Sequence, residues 1–263
     1  MSTADPDPGV RVSRVGSLAR IALARPRRRN ALDHAGWSRL AQVCAELSVD
    51  MSIRVVVLEG EGEHFCAGAD VHELRANVHD RVWLRANQSH VAAALDAYAA
   101  LPQPTIAAVR GSCFGGGAAL AVASDFRLAS ASACFAVTPA RLGLTYRLIE
   151  CLRLSQLIGP ARTREMLLLA REVEAATAAA WGLVNEAVAE EQLEGTLQDM
   201  VNALGALSGY SQRGIKTTLL KIRDGAVADD DETRRVFEDA FNAPDFLAAA
   251  DAFAAKSQRH TEN

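Results

Sequence analysis

The chain has 263 residues, 49% hydrophobic and 23% charged, with a formal net charge of −4. This length supports one sizeable core, or one core and an appendage; the acidic balance excludes a general nucleic-acid binder, and no apolar run is long enough to span a membrane. Five scattered cysteines, Cys44, Cys66, Cys113, Cys134 and Cys151, show no metal-ligand spacing and predict free thiols in a cytoplasmic protein.

Residues 1–9 are acidic and Pro-containing without an apolar core, which reads as a frayed end and not a signal peptide. Val10–Val15 and Leu18–Leu23 read as the two strands of a hairpin around Gly16-Ser17. The basic run Arg25-Pro26-Arg27-Arg28-Arg29 is either a solvated loop or a contact for an anion, phosphate above all. Asp33 is placed to cap a helix with Trp37, Leu40, Cys44 and Leu47 at helical spacing. Residues 53–58 form a β-branched run expected to be a buried strand. Residues 81–101 read as a helix stopped by Pro102 and Pro104, and Thr105–Val109 as the next strand. Gly116–Ala123 is short, nearly all apolar and therefore expected to be a buried helix; 126–129 and 134–137 are short strands. Beyond residue 147 the pattern is helical, over 148–158, 161–169, 175–181, 193–207, 212–223, 232–242 and 246–259. The predicted fold class is α/β, with a strand-and-helix core over residues 1–200 and a helical region over 201–263.

Two glycine-bearing turns stand out. Phe65-Cys66-Ala67-Gly68-Ala69-Asp70 and Gly111-Ser112-Cys113-Phe114-Gly115-Gly116-Gly117 each follow an apolar strand pattern and lead into a possible helix. Such turns let backbone N–H groups point at one spot with no side chain in the way. The N–H groups of Ala69 and Gly116, if they converge, form an oxyanion hole, in which one donor is worth roughly 3–4 kcal/mol of barrier. Two ordinary tight turns are the alternative, because spacing alone does not bring them together. Cys66 and Cys113 lie in the turns, but no His/Asp pattern marks either as a nucleophile.

The same segments resemble the crotonase (enoyl-CoA hydratase/isomerase) superfamily. Residues 25–32 match its RPxxRNAL motif, residues 65–71 its FCAGADL motif, and 106–125 its IAAVxGxxxGGGxxLALxxD segment. Leu157-Ile158-Gly159, Trp181-Gly182-Leu183-Val184-Asn185 and Ala252-Phe253 with Lys256 also fit. The resemblance implies a spiral of ββα units with a C-terminal helical trimerisation region, assembled as a homotrimer or hexamer. It implies an acyl-CoA thioester substrate whose carbonyl oxygen sits between the N–H groups of Ala69 and Gly116. It places the CoA contacts on Arg28, Ala31, Ala67, Gly68, Asp70, Phe253 and Lys256, and implies no metal and no cofactor beyond the substrate's own CoA.

The pattern breaks where the family's hydratases carry two water-handling glutamates. The first of those positions is Ala119 here and the second is Pro139, and the usual glycine pair of the following segment is Ile149-Glu150. Neither Ala nor Pro moves a proton, so ordinary enoyl-CoA hydration is expected to be very slow. Three residues offer replacements. Glu150 is a displaced base or a solvated helix-terminus acid. Tyr146 is a donor to the acyl group or a packing residue. Arg147, where some family isomerases carry an aspartate, could bind an acyl carboxylate. His90 either faces the acyl pocket or the surface, and Asp70 reads as a helix cap. The expected function is enolate-stabilising acyl-CoA chemistry: isomerase, decarboxylase or C–C lyase, with a catalytically weak acyl-CoA binding protein as the contrasting reading.

Overall fold

The chain's computed structural model describes residues 9–261, with side chains up to Phe253 apart from Ala252. Of residues 1–9, expected to be frayed, 1–8 lie outside the described residues, whereas Gly9 is buried and its carbonyl accepts from Ala24 N at 2.7 Å. Strands β1 (Val10–Val15) and β2 (Leu18–Leu23) pair antiparallel, with Val15 opposite Leu18 across the two-residue turn. Gly16 takes φ +56° there, a conformation that glycine adopts without strain. In β2, Ala19, Ile21 and Leu23 alternate inward and are fully buried. Helix α1 (His34–Ser48) starts at Asp33, whose carboxylate accepts from Gly36 N at 2.8 Å, and it buries Trp37, Leu40, Val43, Cys44 and Leu47.

Strand β3 (Val55–Gly60) leads through the first glycine turn to α2 (Val71–Ala76) and the long helix α3 (Arg81–Ala99). Next come β4 (Thr105–Val109), β5 (Ser112–Phe114) and α4 (Gly116–Ala123). A second repeat of the same kind follows as β6 (Phe126–Ser130), β7 (Cys134–Ala136) and α5 (Leu148–Leu168). The core closes with β8 (Glu172–Glu174), α6 (Ala175–Ala180) and β9 (Glu186–Val188). Four helices complete the chain: α7 (Leu193–Gly205), α8 (Gly209–Arg223), α9 (Asp231–Asp239) and α10 (Pro244–Thr261).

The strands form a six-stranded sheet in the order β1-β2-β3-β4-β6-β9, parallel except at the hairpin, and a three-stranded sheet β5-β7-β8. Each repeat lays its first strand in the large sheet and its second in the small one before a helix returns, which is the ββα spiral that the resemblance implied. The large sheet is covered on both faces, so β4 is buried at all five positions. Its residues divide by alternation. Val56, Leu58, Ala107 and Val109 join the main core with α1, α3 and α4. Val55, Val57, Ile106 and Ala108 pack with Leu193, Leu197 and Val201 of α7.

The structure departs from the sequence reading at element ends. The strand expected at 53–58 begins at Val55. The helices expected at 148–158 and 161–169 form one segment with a kink at Gly159, whose φ of 72° is non-helical, just before Pro160. The helix expected to begin at residue 212 begins at Gly209, because the Ser208 hydroxyl caps it by accepting from Ser211 N at 3.1 Å. Among the described residues no helix is long and apolar enough to cross a membrane.

Candidate active site

The two glycine turns meet. Cys66 pairs with Cys113 as a parallel bridge: Cys66 N donates to Ser112 O and Phe114 N to Cys66 O, both at 2.9 Å. Ser112 N also donates to His64 Nδ1 at 3.2 Å, a second tie between the segments. On its other side the first turn pairs with Leu32, which donates from N to Gly68 O (2.8 Å) and accepts at O from Asp70 N (2.9 Å). Backbone groups alternate along extended chain, so the Ala69 N–H faces away from Leu32. It has no acceptor among the described residues, and neither does Gly116 N, the first N–H of α4, which no helix can satisfy internally.

Close backbone approach explains the glycines. A Cβ on Gly68 (φ +95°) would lie 2.8 Å from Phe114 O and 3.0 Å from Gly116 N. A Cβ on Gly116 would lie 2.9 Å from two ring carbons of Trp37 and 3.6 Å from Gly68 Cα. The Trp37 indole, fully buried, therefore forms the floor beneath the start of α4.

Beside this pair lies a narrow recess lined by Ala118, Ala119, Val122, Val137, Tyr146, Glu150 and Leu154. Ala119 and Glu150 thus share one wall space, while Pro139 sits outside it in a short 3₁₀ turn (Pro139–Leu142). Glu150, in the first turn of α5, is almost wholly buried, with 4% of its side chain exposed. Its Oε1 accepts from Arg147 Nε at 2.8 Å and from Arg147 Nη2, whereas Oε2 has no partner among the described residues. Arg147 also grips Asp96 of α3 bidentately, with both contacts at 2.8 Å. The hydrogen bond from Arg147 holds Asp96 below the ordinary carboxylate range. The guanidinium is committed to two carboxylates, and the charges of the buried Arg153 and of Arg223 also act on Asp96.

The Tyr146 hydroxyl donates to Gly115 O, which also accepts from Ala119 N at 3.0 Å. Burial pushes the phenol far above its usual range, so it stays protonated and donating.

Of the expected CoA-contact residues, five stand on the paired segments around Arg25–Leu32 and Phe65–Asp70, and two on α10. Arg28 is exposed at the end of a 3₁₀ turn (Pro26–Arg28), and Ala31 is buried with its carbonyl accepting from Arg25 Nη1 at 2.7 Å. Ala67 N donates to Arg29 O at 2.9 Å, holding the two segments together. The Asp70 carboxylate caps α2 through His72 N (3.0 Å) and Glu73 N (3.5 Å) and pairs with Arg25 Nη2 at 3.0 Å. Phe253 stands exposed on α10; Lys256 is in the same helix, but its side chain lies outside the described residues. Cys66 and Cys113, which the sequence did not mark as nucleophiles, are both fully buried. Burial pushes the Cys66 thiol up to about 12 and Cys113 well above its usual value, so neither supplies a thiolate. His90 is not in the recess; its ring stacks on His34 with centroids 4.2 Å apart.

Sequence reasoning missed Trp37 as the floor of Gly116, His64 as a tie between the turns, Asp96 as the anchor of Arg147, and Asn30. Asn30 is buried, takes φ 56°, and donates from Nδ2 to Glu61 O (3.0 Å) and His64 O (2.6 Å). Asn tolerates that left-handed conformation better than most residues, which is the one signal its position offered.

A spiral of ββα units that brings two glycine turns together, each with a backbone N–H left without an acceptor among the described residues, and a small recess beside the second turn, defines the α/β class of the chain. The chain matches the enoyl-CoA hydratase/isomerase family over residues 13–263 and belongs to it, as an acyl-CoA enzyme of the crotonase fold. It is 36% identical over 216 residues to the probable enoyl-CoA hydratase EchA12 of Mycobacterium tuberculosis, covering 76% of this chain and 72% of that protein. It is 28% identical over 229 residues to the peroxisomal Δ(3,5)-Δ(2,4)-dienoyl-CoA isomerase of Arabidopsis thaliana, covering 83% and 82%. Among solved structures it superposes on an enoyl-CoA hydratase/carnithine racemase from Magnetospirillum magneticum with a TM-score of 0.89 and 30% identity, over 95% and 94% of the two chains.

Proposed function

We propose that the chain binds an acyl-CoA thioester with its carbonyl oxygen between the N–H groups of Ala69 and Gly116, and that Glu150 moves the proton at the α-carbon. The reaction favoured is double-bond isomerisation and not hydration. Glu150 Oε2 takes a proton from C2, the electron pair spreads onto the thioester oxygen as an enolate, and the same carboxyl group returns the proton at C4 while the double bond shifts. One carboxylate suffices for that exchange, whereas adding water calls for a base on the water and an acid for the α-carbon. The observation carrying this reading is the unpartnered Oε2 of Glu150 in the same recess as Ala119. The likeness to a dienoyl-CoA isomerase supports it. The exposed Arg28, with Lys256, is proposed to meet the CoA phosphates.

The test is hydrogen–deuterium exchange at C2 together with 3-enoyl- to 2-enoyl-CoA conversion. Wild type should do both, and Glu150→Gln should lose about 10²- to 10⁴-fold in each. Crotonyl-CoA hydration at ordinary hydratase rates would overturn the proposal. Tight acyl-CoA binding with no exchange across a substrate panel would point instead to a binding protein, for which the loss of carboxylates at Ala119 and Pro139 speaks.

A further inference from the structure

We infer that Tyr146 is a positioning residue: its hydroxyl, by donating to the Gly115 carbonyl, fixes the plane of the Gly115–Gly116 peptide so that the Gly116 N–H faces the substrate oxygen. The inference deepens the reading above and rests on it.

A trans peptide holds its C=O and N–H in one plane, pointing in opposite directions. Whatever holds the Gly115 oxygen therefore aims the Gly116 hydrogen. This peptide needs holding more than most, since it lies between two glycines, and Gly115 has φ 51° and ψ −118°, a conformation open in practice to glycine alone. Ala119 N supplies one donor to the carbonyl, but that bond belongs to the first turn of α4 and moves with it. Tyr146 comes from a different segment, just ahead of α5, and so ties the peptide to a second body. A second donor on the carbonyl also polarises the peptide and sharpens its N–H as a donor. Because a phenol has one proton, Tyr146 cannot donate to the acyl group at the same time, so the direct donor role expected from the sequence gives way to this one.

The experiment uses the full chain with crotonyl-CoA labelled with ¹³C at the thioester carbonyl, read by infrared difference spectroscopy, alongside its affinity and C2 exchange measured on 3-butenoyl-CoA. In wild type the carbonyl band should move to lower frequency on binding. Tyr146→Phe, which keeps the ring in the recess wall, should lose a large part of that displacement. Its C2 exchange should fall on the order of tenfold, the worth of one hydrogen bond, while Kd changes less than threefold. Should Tyr146→Phe fold poorly, 3-fluorotyrosine at position 146, a stronger donor, should move the band further down. A full band displacement in Tyr146→Phe, or none added by the fluorinated ring, overturns the inference and leaves the oxyanion reading standing. No displacement in wild type overturns both.

Discussion

At the scale of single residues, the charge balance around the recess bears on substrate choice. Arg147 reads in sequence as a free cation that could meet an acyl carboxylate. In the fold it lies between Asp96 and Glu150, which take four of its five N–H donors and leave a single Nη1 N–H for a third anion. The apolar lining of Ala118, Ala119, Val122 and Leu154 favours a neutral, compact acyl chain. Malonyl- and glutaryl-type thioesters are therefore expected to show a kcat/KM at least tenfold below butyryl- or butenoyl-CoA in the C2 exchange assay; a preference for the carboxylated set would sink this account. The position of Ala119 in α4 was legible from its fixed offset inside a recognisable segment, whereas Glu150, which the sequence left open as a displaced base or a solvated helix-terminus acid, is only 4% exposed, against the solvated alternative. Asp96 was not legible, because it reaches Arg147 across 51 residues of sequence, and no local pattern encodes such a contact.

At the scale of elements, two turns and two caps decide whether the donors converge. Gly116→Ala places a methyl group against Trp37, at a distance real Cβ atoms do not tolerate, so α4 must shift. Displacing one oxyanion donor should lower exchange by about 10²- to 10³-fold, a larger proportional loss than any change in Tm. Asp70 carries the second prediction. Burial opposes its ionisation, but hydrogen bonds from His72 N and Arg25 outweigh it, and its folded pKa lies below the ordinary carboxylate value. A lowered acid stabilises the fold above its unfolded pKa, near 4, and that share is lost as pH falls through the folded value. Asp70→Ala should thus cost about 1 kcal/mol at neutral pH and flatten the acid side of the stability profile in urea titrations; an unchanged slope below pH 4 would contradict it. The longer elements were plain in the sequence, since hairpin, capped helix and buried strand each have a period. Strands β5, β8 and β9 were not expected: each has three residues, and β5 lies inside the glycine turn while β8 and β9 lie in a stretch that reads as helical.

At the scale of the whole molecule, the resemblance of ordered motifs along the chain conveyed the spiral better than any periodicity did. The helical end is a different matter. Ile215, Leu219 and Ile222 of α8 and Phe237 of α9 stand more than half exposed, and Phe241 stacks edge-on against both Phe237 and Phe246 at 6.1 and 5.6 Å between centroids. Apolar surface of that extent seeks cover. Sedimentation is expected to report a trimer or hexamer, and Leu219→Glu to shift it toward smaller species; a monomer at micromolar concentration would speak against this. Lys216 of α8 has a further bearing. Its ammonium, 8% exposed, reaches Gln103 O at 2.9 Å and Asp125 Oδ2 at 2.6 Å, while Asp125 also accepts from Thr105 N and Oγ1 at the start of β4. A protease nicking the chain between α7 and α8 would therefore not liberate a self-sufficient catalytic fragment. It would strip the counter-ion from the root of the central strand, and the trimmed remainder should unravel together with its tail.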